Sequence, residues 1–138
     1  MKGKIASLAG AVAVGALMMA SGTAHAAAQN FDIYTTDANR GGNAWGTLVT
    51  GAAWNECSYA KLKDDANNAL SDNAADGRAA VAWLVYTRCS DGVTEKTLLG
   101  RAGGSGTVVP LSTAPEYDVR NAKVMVCLTD ALYCRSSR

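Results

Sequence analysis

The sequence predicts an all-β fold: one small antiparallel β-sandwich or barrel-like domain, stapled by two disulfides and preceded by a helical signal peptide. Three observations carry this expectation. Short runs rich in Val, Thr, Tyr and Trp recur between clusters of Gly, Asn and Asp. Helical periodicity is weak after the N-terminus. Four cysteines, an even number, follow what reads as an export signal.

That signal comes first in the chain. Lys2 and Lys4 precede the uncharged run IASLAGAVAVGALMMA, and Ala24-His25-Ala26 has the A-x-A form of a cleavage site. Residues 1–26 are therefore expected to be a secretory leader and residues 27–138 a single domain, since no linker, repeat or heptad pattern divides the rest. No cysteine lies near the cut to carry a lipid, and no later apolar run is long enough to span a bilayer. The expected product is secreted, extracellular and without a stable membrane anchor. An uncleaved anchor helix is disfavoured because charges do not flank both ends of the apolar run.

The elements follow in order. NFDIYTTD (Asn30 to Asp37) alternates Phe31 and Ile33 against Asp32 and reads as a strand. ANRGGN turns the chain, and AWGTLVT (Ala44 to Thr50) reads as the hairpin partner, ended by Gly51. Trp54 to Leu70 is ambiguous: Cys57 and Tyr59 alternate as in a strand, whereas Leu62, Ala66, Ala69 and Leu70 fit a helical face. A strand to about Leu62 is expected, then a loop or a turn or two of helix. After Gly77, RAAVAWLVYTRC makes a long central strand with Trp83 in the core. DGV turns into TEKTLLGR, AGGSG makes a flexible hairpin tip, and TVVPL returns. YDVRNAKVMVCL closes the chain with Val124, Val126 and Leu128 on one face.

Cys57, Cys89, Cys127 and Cys134 allow three pairings. The six residues LTDALY between the last two suit a local clip, which favours Cys57 with Cys89 and Cys127 with Cys134. By chain entropy these closures contribute about 3.5 and about 2.5 kcal/mol. A zinc site made of the four thiolates lacks the two C-x2-4-C knuckles it requires.

Composition removes whole chemistries. Of 13 Lys and Arg, Lys2 and Lys4 leave with the leader, so 11 face 12 Asp and Glu, a formal charge of −1. This gives no electrostatic case for nucleic acid or an anionic membrane. The one histidine, His25, lies in the leader. Triads and dyads that use imidazole as the base are thereby excluded, and catalytic zinc of the usual ligand set with them.

The runs DNAADGRAAVAWLVY and VMVCLTDALYC together resemble small exported proteins of actinobacterial type that have no assigned function. The resemblance covers about a third of the mature chain. It implies a disulfide-stapled β domain and brings no catalytic residue with it.

The remaining site candidates are few. Asp72 and Asp76 stand where a calcium loop D-x-D-x-D-G would begin, but Ala74 has no ligand atom and Trp83 occupies the place of the closing glutamate. DANRGG at Asp37 fails in the same way, with Leu48 at the last position. Turn chemistry, with Gly77 at positive φ, explains the first loop better, and no cofactor is expected. Glu56, Glu95 and Glu116 are the glutamates from which a glycan hydrolase would draw its pair. GRAGGSG lacks the Lys-Ser/Thr of a phosphate loop. Trp45 or Trp54, if exposed, would stack on sugars. The expected function is a non-catalytic binding or interaction module for a protein or glycan outside the cell. A secreted inhibitor presenting Arg101 to a serine protease is the alternative, and a carboxylate-based hydrolase is a further one.

Overall fold

In the computed structural model the described residues are 26–64, 66–129 and 131–138, so the expected leader lies outside them except for Ala26. They contain nine strands and no helix: β1 (Ala27–Tyr34), β2 (Gly42–Thr50), β3 (Ser58–Leu62), β4 (Ala69–Asp72), β5 (Ala80–Arg88), β6 (Thr94–Ala102), β7 (Thr107–Pro110), β8 (Glu116–Leu128) and β9 (Leu132–Ser136). All pair antiparallel in one curled sheet with the order β6-β5-β8-β3-β2-β4-β7; β1 adds to β2, and β9 to β8. Of the two architectures expected, the barrel-like one is realised, as a half-barrel.

β1 and β2 form the predicted hairpin, in register from Ala27 opposite Thr50 to Tyr34 opposite Asn43. β3 and β4 both lie along β2, opposite Leu48–Thr50 and Gly42–Trp45 respectively. They act as one strand interrupted by the excursion 63–68, and this resolves the ambiguous segment without a helix. The apolar residues that suggested a helical face, Leu62, Ala69 and Leu70, are buried by these two short strands.

The hollow of the sheet holds the core. Phe31, Ile33, Leu48, Leu70, Leu84, Tyr86, Leu99, Val124, Val126 and Leu128 all point into it, and Val124, Val126 and Leu128 share a face as predicted. Alanines 44, 60, 80, 82 and 102 are fully buried among them. Alternating small and large side chains suit the interior of a small, strongly curled sheet. Bulges at Ala82/Trp83 and Val85/Thr87 bend β5 further.

Three expectations are corrected. Trp83 is not core: Ala80, Ala82, Leu84 and Tyr86 take the inner face of β5, and Trp83 stands half-exposed on the outer one. The tip at residues 102–106 does not join a paired hairpin, because β7 pairs with β4. It meets β6 through the next segment, where Ser112 N–H donates to Leu99 C=O. A ninth strand, β9, follows the expected last one, and Cys127–Cys134 clips β8 to it.

Candidate functional site

Trp54 stands on the turn between β2 and β3, with 65% of its surface exposed. The turn closes through Glu56 N–H to Ala53 C=O at 2.9 Å, and Gly51 N–H donates to Tyr59 C=O at its base. Cys57 then joins Cys89 at the end of β5. Asn121 N–H in β8 donates to the carbonyl of Trp54 itself. The main chain that carries this large exposed aromatic is thus anchored to β3, to the end of β5 and to β8.

Asn121 adopts φ 54°, a left-handed conformation that asparagine tolerates better than most residues. The resulting irregularity in β8 opens the sheet surface beside Trp54. There a cleft of about 520 Å³ is lined by Trp54, Gln29, Asn121, Lys123, Ser137 and Arg138, with Ala122 in its floor. Gln29 Nε2 donates to the Arg138 carbonyl, leaving its Oε1 to accept. One indole, two carboxamides and two cations beside an open cleft are a set that binds polar ring compounds. Among the described residues that line it there is no carboxylate side chain.

A second, shallower cleft of about 600 Å³ adjoins it on the outer face of β5, β6 and β8, lined by Val85, Thr94, Glu95, Lys96, Lys123, Met125 and Ser136. Lys96 Nζ lies 4.2 Å from the centroid of the Trp83 ring. Arg88 pairs with Glu95 at 3.1 Å and with Asp91. Hydrogen bonding to Asp91 raises the Arg88 pKa above its usual value, against a smaller opposing effect of burial.

The structure disperses the remaining sequence candidates. Cys57–Cys89 and Cys127–Cys134 are the two disulfides, paired as the spacing favoured. Cys57 and Cys89, with Asp118, are also the one grouping of three metal-ligand side chains among the described residues. Their sulfurs are bonded to each other, so no thiolate is available there.

Asp72 is buried, and its carboxylate accepts Gly104 N–H at 2.9 Å and Ala74 N–H at 3.3 Å. Asp76 accepts Arg78 N–H at 2.9 Å and Gly77 has φ 73°, so the DNAADG loop is turn chemistry. Asp37 accepts the Thr35 hydroxyl and Gly41 N–H in the first turn. Trp45 is half-buried within β2, opposite Asp32 and Ala69, and offers no platform. Arg101 lies in β6 opposite Val81, its main chain engaged with β5 rather than presented on a loop. The tip beyond it is anchored by Asp72, whose carbonyl also accepts Gly106 N–H at 2.7 Å, so it is not the flexible hairpin tip expected. Glu95 is held by Arg88, Glu116 accepts the Thr97 hydroxyl at 2.9 Å, and Glu56 lies on the exposed turn; no two of the three share a hydrogen bond.

Sequence reasoning missed Gln29, Asn121, Lys123 and Lys96. The one local signal was the asparagine inside the apolar alternation of RNAKVMV, a residue that breaks a strand unless a bulge accommodates it. No protein-family model matches this chain, no curated protein matches it in sequence, and no solved structure matches it in fold.

Proposed function

We propose that the chain is an exported, non-catalytic binding module that recognises a glycan at the Trp54 cleft. The observation that carries the reading is an exposed indole, on an anchored turn, beside a largely apolar cleft rimmed by Gln29, Asn121 and Lys123. A tryptophan this exposed is unusual in a folded domain, and the turn that presents it is anchored through its backbone by a disulfide and by Asn121. The flat indole suits the C–H face of a sugar ring, while Gln29 and Asn121 offer donors and acceptors to its hydroxyls. Two disulfides fit an oxidising compartment, as export requires.

The test is calorimetric titration of residues 27–138, disulfides intact, with soluble neutral and acidic oligosaccharides. Trp54→Ala should weaken binding at least about tenfold, roughly 1.4 kcal/mol, with Tm unchanged because the side chain supports no core. Unchanged affinity in that variant, or no binding by any sugar, overturns the reading.

A further inference from the structure

We propose that the ligand is an anionic polysaccharide lying along one groove from Trp54 to Trp83, an inference that rests on the glycan reading and deepens it. The two clefts adjoin, with Lys123 on the border of both. From Asn121 to Met125 along β8 the groove extends about 13 Å, which suits a stretch of chain rather than one sugar.

Its floor and walls come from the register. Val85 stands opposite Lys96 on β6 and opposite Lys123 on β8, so two lysines flank one valine on the outer face. The neighbouring row sets Trp83 opposite Leu98 and Met125. The groove therefore has Val85 and Met125 in its floor, Trp54 at one end, Trp83 next to Met125 under Lys96 at the other, and lysines two strands apart, about 10 Å between their backbones.

The charge has a definite sign. Among the described residues neither Lys96 nor Lys123 has a carboxylate partner. The one acidic side chain in the groove, Glu95, is paired with Arg88. Arg138 lines the far end beside Trp54, but in the protein of residues 27–138 its main-chain carboxylate offsets its guanidinium, so the excess rests on Lys96 and Lys123. A local excess of positive charge on a mature chain of formal charge −1 is a concentrated feature, and it complements a polymer carrying carboxylates or phosphates. The indole N–H of Trp83, whose ring lies under Lys96, is also buried with no acceptor among the described residues.

Residues 27–138 are titrated with polygalacturonate, poly(glycerol phosphate), neutral dextran and poly-aspartate at low and at physiological salt. Either anionic sugar-type polymer should bind at least about tenfold tighter than dextran, and tighter than poly-aspartate, with affinity falling as salt rises. Which of the two binds identifies the anion as carboxylate or phosphate. The double variant Lys96→Gln/Lys123→Gln should lose about tenfold for that polymer and stay folded, its Tm falling by no more than the few degrees that loss of the Lys96–Trp83 contact costs. Unchanged binding in this variant while Trp54→Ala is impaired, or tighter binding of dextran, overturns the anionic ligand and leaves the glycan site standing. Equal binding of poly-aspartate reduces the groove to general charge attraction and overturns it too. Failure of every saccharide overturns both readings together.

Discussion

Asp37 and Asp91 show how single carboxylates tie the turns of this chain to its stability. Burial acts to raise the Asp37 pKa, and hydrogen bonds from the Thr35 hydroxyl and Gly41 N–H outweigh it, holding the group below its ordinary 3.8. At Asp91 the Val93 N–H lowers the value, burial opposes, and Arg88 lowers it further. A carboxylate depressed in the folded chain contributes stability that is complete above the unfolded pKa and is lost as pH falls through the folded one. Thermal midpoints should therefore be flat between about pH 7 and 5, decline below about pH 4, and decline less steeply in Asp37→Asn/Asp91→Asn; an unaltered slope in that variant refutes the assignment. Residues of this local kind were legible, because Asx turns span only two or three positions. The reach of Asp72 to Gly104 was not, since 32 positions separate them. The face of Trp83 was hidden for another reason: both parities of VAWLVY are apolar, so alternation cannot say which one is inside.

Among the elements, β2 carries the tightest constraint. Where the interrupted β3–β4 strand leaves its edge, Gly46 adopts φ 152°, and an added Cβ would lie 2.3 Å from Asn68 Oδ1 and 3.0 Å from the Phe31 ring. That Asn68 oxygen accepts Thr47 N–H at 2.9 Å, and its amide donates to Lys63 C=O at 2.9 Å, bridging the excursion to β2. Gly46→Ala should destabilise the domain by about 2–3 kcal/mol through overpacking, read from the urea midpoint, whereas Gly77→Ala, with open space around it, should lose only what positive φ costs. A Gly46→Ala protein with a wild-type midpoint would contradict this packing. Strands with one buried face were readable: β1, β2, β5 and β8 all fall where alternation or apolar length placed them, within a few residues at their ends. β4 and β9 were not recognised, because four or five residues give too little period to detect and their pairing is set by distant strands.

For the molecule as a whole, the sequence implied a stapled β domain but not its strand order, which depends on contacts far apart in the chain. The staples differ in kind. Cys57–Cys89 closes 32 positions and fixes the Trp54 turn to β5, while Cys127–Cys134 closes 7 and tightens one hairpin. Replacing the first pair with serine should lower stability by about 3.5 kcal/mol and also weaken the proposed glycan binding; replacing the second should remove about 2.5 kcal/mol and leave that binding, where it is measured, intact. Equal effects on binding would show that the staple does not position the tryptophan. β8 has a further consequence for how the domain assembles. It alone joins β5–β6 to the β1–β2–β3–β4–β7 group by strand pairing, and it starts only at Glu116. A growing chain therefore carries two incomplete half-sheets until nearly its last residues are made, with folding of the millisecond-to-second kind typical of long-range β pairing. Such a chain stays open late, which is the state a protein must keep if it is to be threaded across a membrane before it folds.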